Sequence, residues 1–259
     1  MKAVWTGWIW FGLVNIPIKL YSAVRDSELD FDFLDKKDHS RIRYLRVNEK
    51  TGKEVAWSNI IRGYKLNNKW VVLDEADFEK ASPRQTKAIE ISDFVEEKEI
   101  DSLYYEMPYY LEPETSGAKA YVLLREALKK TGKVAVASYV MRTKQSLAVI
   151  KPMDQMLVLV RIRFREEIRD HSDLKIPARA DIKPSELKMA VTLINQYSKP
   201  FNIDSYKDTY SAHLLKLIKA KAKGIKTPEP ALRVVHSKNR DLMDQLKASL
   251  NHGKRKKAS

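Results

Sequence analysis

The segment NIPIKLYSAV, residues 15–24, decides how the rest of the chain is read. Ile16, Ile18 and Leu20 fall on one parity, and Pro17, Lys19 and Tyr21 on the other. Successive side chains of a strand point to opposite faces, so this is a strand with one buried and one exposed side. The same period recurs downstream in KAIEISDFV, SLYYEMPYYL, VAVASYVMR, SLAVIK and MLVLVRIRF. IRYLRV and EVAWSNII flank the turn-rich NEKTG and predict a hairpin. GYKL and KWVVL flank Asn67 and Asn68, residues that tolerate the left-handed backbone of a tight turn. One helix interrupts, near residues 117–131, with Tyr121, Leu124 and Leu128 at helical spacing and Gly132 as its stop. Many short strands between turns predict a mainly β fold with α: an antiparallel β-barrel over residues 1–172, because closure removes exposed edges.

The pattern changes after residue 172. LKIPARADIKP is a proline-punctuated connector. A helix over 185–198 carries Leu187, Val191 and Ile194, and a second over 204–223 carries Tyr206, Tyr210, Leu214, Leu217 and Ile218. Two amphipathic helices with little sequence to cover them form a helical arm, residues 173–226. TPEP then reads as a linker, and residues 227–259 hold a short amphipathic helix (239–251) with Leu242, Met243, Leu246 and Leu250 on one face. A helix that short is marginal alone in water, so this face needs a surface to dock on. The basic tail KRKKAS follows.

Composition narrows the function. With 259 residues and 44% hydrophobic content, the chain can bury a real core. It has no cysteine, which excludes disulfides and thiolate metal sites and fits a reducing compartment. The N-terminus lacks a small-x-small cleavage site, and no stretch reaches the ~18 to 20 apolar residues of a membrane span. The expectation is a soluble cytoplasmic protein. Net charge is +14: residues 1–100 balance to zero, 101–172 carry +3 and 173–259 carry +11. An excess of this size favours polyanions such as nucleic acid or anionic lipid.

Catalytic patterns are missing. There is neither a phosphate-binding loop nor a dinucleotide fingerprint. The five histidines, at 39, 171, 213, 236 and 252, never take a metal-pair spacing. From Asp30, the sixth and twelfth positions of a calcium loop are Asp35 and Arg41, so that reading fails. The acidic run at Glu96, Glu97, Glu99 and Asp101 aligns no base with a nucleophile. No enzyme, metal or cofactor is expected.

The positive signal is KKDHSRIRYLR, residues 36–46, five basic side chains around one acid, Asp38. Arg142 and Lys144 follow another strand, and Arg161, Arg163 and Arg165 alternate in a third, close to Glu166 and Glu167. Side chains at i and i+2 share a strand face, so such rows can track phosphates. An ordinary solvated face of a half-buried sheet also accounts for them, and is the favoured reading of the alternation by itself.

The sequence resembles the bacterial Ku family. WTGWIWFGLVNIPIKLYSAV is similar to its N-terminal signature, and RIRYLRVNEKTGKEV, IIRGYKL, WVVLDEADFE, MPYYLEP, AYVLLREALKKTGKVAVA, LLKLIKAKAKG and DLMDQLKASL follow in the family's order. The resemblance implies a ring-shaped homodimer that threads onto double-stranded DNA ends in non-homologous end joining. Each subunit would give a seven-stranded type of barrel, a bridge crossing the duplex and an arm embracing its partner. It implies recruitment of an ATP-dependent DNA ligase through Leu242, Met243, Leu246 and Leu250, and a dimer arm of Leu187, Val191, Ile194, Tyr206, Tyr210, Leu214 and Leu217. On that reading Lys36, Lys37, Arg41, Arg43 and Arg46 belong to the bridge. Lys19, Arg84, Lys87, Arg142 and Lys144 complete the DNA-binding set. Many relatives carry Cys-x-x-Cys where this chain has Asn48 and Thr51, so zinc is not expected. The alternatives are a general basic or architectural DNA-binding protein without end dependence, and a nuclease or ligase-like enzyme, which a clustered acidic metal site would support.

Overall fold

The computed structural model describes residues 1–25, 27, 29–81, 87–141, 144–177, 181–225, 243 and 245–250. They form two compact units, 1–171 and 172–259. In the first, seven strands close a barrel: β1 (Trp5–Phe11), β2 (Val14–Ser22), β5 (Ala88–Glu96), β6 (Tyr105–Pro113), β7 (Lys133–Met141), β8 (Lys144–Met153) and β9 (Met156–Ile162), in the order β1-β2-β6-β9-β8-β7-β5. Six seams are antiparallel. The seventh departs from the expected antiparallel barrel: β1 and β5 run parallel, Trp8 opposite Ala88.

The alternation seen in the sequence fills the interior. Ile9, Ile16, Ile18, Leu20, Ile89, Ile150, Leu157 and Leu159 are fully buried there. The helix α2 (Ala118–Thr131) adds Tyr121, Leu124 and Leu128 and ends at Gly132, whose φ of 65° suits a residue without a Cβ. Burying side chains of this size is worth roughly 1.5–3 kcal/mol each. Tyr121 does more than pack. Its hydroxyl donates to the Leu111 carbonyl at 2.7 Å and accepts from the Leu157 amide at 2.6 Å, wedged between two residues that face each other across β6 and β9. A second, smaller cluster, Val134, Val149 and Ile162, lies on the outer side beneath the segment carrying Ile100 and Tyr104.

Residues 23–87 leave the barrel after β2 and return into β5. Leu20 pairs with Trp5 and Ala88 with Trp8, so both feet stand at the rim where β1 begins. This handle contains three reversals. In the first, the Asp35 amide donates to the Ser40 carbonyl and the Ile42 amide to the Phe33 carbonyl. The second closes with the Val55 amide on the Arg46 carbonyl. The third is the hairpin of β3 (Arg62–Leu66) and β4 (Lys69–Leu73), where Asn67 and Asn68 both take positive φ, as its sequence predicts. The expected strands IRYLRV and EVAWSNII do not form. Only the isolated bridges Leu34–Arg41 and Val47–Glu54 appear, and Trp57–Asn59 is a 3-10 turn. Two short strands without a sheet or core beneath them do not sustain a ladder.

A helix absent from the sequence reading, α1 (Glu75–Ala81), follows the third hairpin. Its start is held by reciprocal bonds between Asp74 and Asp77.

In the second unit, α3 (Pro184–Tyr197) begins where the Lys183 amide donates to Glu186. The next helix, α4 (Thr209–Ala222), starts five residues later than expected, because the Asn202 side chain caps a 3-10 turn at Ile203–Ser205 and Asp208 then caps the helix through the Ser211 amide. Tyr206 therefore lies before the helix rather than on its stripe, stacked on Phe201 at 5.9 Å. Residues 245–250 are helical, Leu246 and Leu250 are half-buried, and Gln196 donates to the Leu250 carbonyl at 3.5 Å.

The Tyr121 wedge is testable. Tyr121→Phe leaves a buried amide and carbonyl without their partner and should lower stability by about 1–3 kcal/mol. Urea denaturation measures it, and an unchanged midpoint would mean that β6 and β9 pair directly once the hydroxyl is gone.

Candidate nucleic-acid interface

Strand directions put the basic residues in order. β2 ends, β5 begins, β7 ends and β8 begins at the same rim, so the handle's feet, Lys87 and Lys144 share one end of the barrel. Lys19 is nearby on β2, its side chain on the outer face. At the opposite rim β5 closes with Glu96, Glu97 and Glu99. Neither rim carries one sign alone: Lys133 faces Glu96 and Lys151 pairs with Glu97 at the far rim, while Glu167 pairs with Lys144 at the near one.

The handle does separate its charges along the sequence. Residues 36–73 hold ten Lys and Arg against three Asp and Glu, a net charge of +7. The flanks reverse it: residues 24–35 hold one basic and five acidic residues, and 74–80 one and four. The handle is basic over its middle stretch and flanked in sequence by two acidic runs, while its last residues before β5 again hold Arg84 and Lys87.

Local structure explains how the basic middle is displayed. The lone acid, Asp38, accepts from the Ser40 amide at 2.9 Å, which holds its carboxyl below the ordinary range. Asp35 accepts from the Lys37 amide at 2.7 Å, and His39 takes a φ of 59°. These carboxylates close the turn that carries Lys36 and Lys37. Asn48 does the same for the second reversal, accepting from the amides of Lys50 and Thr51. By alternation Asp32, Leu34, Arg41 and Arg43 share one face of the first ribbon, and Phe31, Phe33, Ile42 and Tyr44 the other.

Individual cations differ in how free they are. Arg41 pairs with Asp32 at 2.6 Å, but both side chains are more than 60% exposed, so the pair is weak. Arg46 leaves the row and lies over the Trp57 ring at 4.5 Å. Lys144 pairs with Glu167 at 3.2 Å. Lys19 faces Glu112 across the β2–β6 ladder, and Glu112 also accepts from Tyr21 at 2.6 Å. Lys36, Lys37 and Arg43 are exposed. Arg84 and Arg142 lie outside the described residues.

The Arg161 row belongs to the barrel. Arg161 shares the inward parity of Leu157 and Leu159, and its guanidinium grips Glu106 through two bonds, at 2.8 and 2.6 Å, in the barrel mouth. That bond to Glu106 raises its pKa further. Nearby, burial pushes the Tyr139 phenol up to about 12. Arg163 donates to the Leu103 and Tyr105 carbonyls, and Arg165 to that of Ile168. These arginines fasten backbone, and alternation alone could not show it. Further cations that the sequence reading passed over, Lys50, Lys53, Arg62, Lys65 and Lys69, are exposed in the handle; the signal available for them was the charge count of residues 36–73.

Among the described residues no group of three His, Cys, Asp or Glu could hold a metal ion, and no helix is long and apolar enough to cross a membrane. What the handle offers is positive charge on short, capped turns, suited to phosphates rather than base edges.

The Ku70/Ku80 beta-barrel domain model matches residues 10–189, which takes in six of the barrel strands whole, the last two residues of β1, and the handle. The chain belongs to the Ku family. It is 40% identical over 232 residues to the non-homologous end joining protein Ku of Coxiella burnetii, covering 87% of this chain and 84% of that relative. It is 40% identical over 256 residues to the Archaeoglobus fulgidus protein of the same name, covering 96% and 98%, and 36% identical over 259 residues to that of Bacillus subtilis, covering 98% and 83%. The Ku barrel and the handle together account for the expected fold.

Free and fastened arginines should part company on mutation. Arg43→Glu should leave thermal stability within about 0.5 kcal/mol of the parent while weakening duplex binding. Arg161→Gln should lower stability by roughly 1–3 kcal/mol, since it strands Glu106 in the barrel mouth. Melting curves and duplex titrations of the two variants check this, and the reverse pattern would move the interface to the barrel mouth.

Proposed function

We propose that this chain binds double-stranded DNA ends without sequence preference in non-homologous end joining. The single observation that carries the reading is the handle: an excursion of +7 at its middle, rooted at both ends on one rim of a closed barrel. An arch of this kind meets a polyanion with exposed cations and offers no register for base readout. Lys36, Lys37, Arg41 and Arg43 contact phosphates, with Lys19, Lys87 and Lys144 at or near the rim and Arg84 and Arg142 completing the set. Arginine suits the role because it is always charged and grips phosphate through two donors. The names carried by the relatives, non-homologous end joining proteins Ku, support the same reading.

The finer assembly is a homodimeric ring. No residue of α3 or α4 is buried, and Leu187, Val191, Ile194 and Tyr210 are all exposed. Apolar surface of this extent marks an interaction site. A second copy covers it, with Tyr206, Leu214 and Leu217 in the same interface, and residues 173–226 act as the dimer arm. The C-terminal region, through Leu242 (outside the described residues), Met243, Leu246 and Leu250, recruits an ATP-dependent DNA ligase. The chain itself acts as a clamp in the cell's nucleoid and carries out no catalysis.

A gel shift on one fragment in linear and covalently closed circular form tests the function. The linear form should give a ladder of shifted bands and the circle none, because a ring enters only at an end. A variant ending at residue 230 should keep the ladder and lose stimulation of ligase-catalysed joining. Equal shifts of both forms would leave a basic duplex-binding protein without end dependence.

A further inference from the structure

The helix α4 carries a feature that neither the barrel nor the handle uses. From Thr209 to Pro228 the chain holds five lysines, at 216, 219, 221, 223 and 226, and no acidic residue. Within and just after α4, Lys216, Lys219 and Lys223 are spaced three and four apart, which stacks them on one helical face with His213. All three lysines are exposed, and none has an ion pair among the described residues. Tyr210, Leu214, Leu217 and Ile218 occupy the opposite side of the helix.

A solvated helix face ordinarily mixes signs, because opposite charges three or four residues apart stabilise it and like charges there destabilise it. The neighbouring helix α3 does mix them, with Glu186 and Lys188 in its first turns. The helix macrodipole favours cations in the last turn only, so it accounts for Lys219 and Lys223 but not for Lys216. A like-charged stripe that weakens its own helix is explained when its counter-charges come from outside. The three lysines span seven residues, about 10 Å along the axis, a length that several phosphates of one strand can follow.

We propose that Lys216, Lys219 and Lys223 form a second phosphate-contact surface, separate from the handle, that binds the backbone of duplex DNA. It extends the reading of the chain as a DNA-end binder and adds affinity without adding end selectivity. Its ligand is the polyanionic phosphate backbone, and sequence has no part in it.

The test is the salt dependence of binding to one linear duplex, measured for the parent chain, for K216Q/K219Q/K223Q and for the charge-conserving K216R/K219R/K223R. Each lost phosphate contact makes the slope of log affinity against log salt shallower by about 0.9, so the glutamine variant should lose two to three from the slope while the arginine variant keeps it. Relief of like-charge repulsion should leave the melting temperature of the glutamine variant equal to or above the parent's. An unchanged slope overturns the proposal. So does a fall in melting temperature, which would make the stripe structural. Lysine-dependent sedimentation with phosphatidylserine vesicles, with the DNA slope unaltered, would assign the face to lipid instead. Circular duplex in the same series separates this proposal from the end-binding reading: equal binding of circle and line refutes the latter, while the slope still decides the stripe.

Discussion

The parallel seam between β1 and β5 is the constraint on which the rest of the structure depends. It closes the barrel, and at the same point it brings the chain back from the handle. The Trp8 amide donates to the Lys87 carbonyl at 2.8 Å just where β5 begins. Gly7 makes this approach possible: a Cβ there would stand 2.1 Å from the Lys87 oxygen. Because β2 leaves on the other side of β1, the seam forces both feet of a 65-residue excursion onto one rim.

Charge follows the same geometry. The rim that roots the handle also presents Lys87 and Lys144, and acidic runs flank the handle's basic middle in sequence. In that middle stretch ten basic side chains meet three acids. Those few acids have work of their own. Asp38 is one of them: with Asp35, just before the basic run, it closes the turn that displays Lys36 and Lys37, so the interruption in the run is what gives it its shape.

Much of the barrel was legible in the sequence because its signal is local. Ile16, Ile18 and Leu20 alternate whatever the rest of the chain does, and they are buried as their spacing predicts. The parallel seam was not legible, since pairing Trp8 with Ala88 joins residues that share no local pattern. Alternation also misled in two places. At 42–46 it looked like a strand, but a strand needs a neighbour, and the handle supplies only isolated bridges. At Arg161 and Arg163 it could not tell inside from outside: Arg161 continues the inward row of Leu157 and Leu159 because Glu106 waits there to neutralise it. Helix ends were fixed by side-chain caps at Asp74, Asn202 and Asp208, which explains both the missed α1 and the late start of α4.

On the proposed function, the basic middle of the handle is the surface that meets DNA at an end. Amide hydrogen exchange across the chain, with and without linear duplex at moderate salt, tests it most directly. Slowed exchange should be concentrated in residues 36–73, produced by linear duplex and not by the same fragment as a closed circle. Protection elsewhere with the handle unchanged, or equal protection of the handle by circle and line, would contradict it.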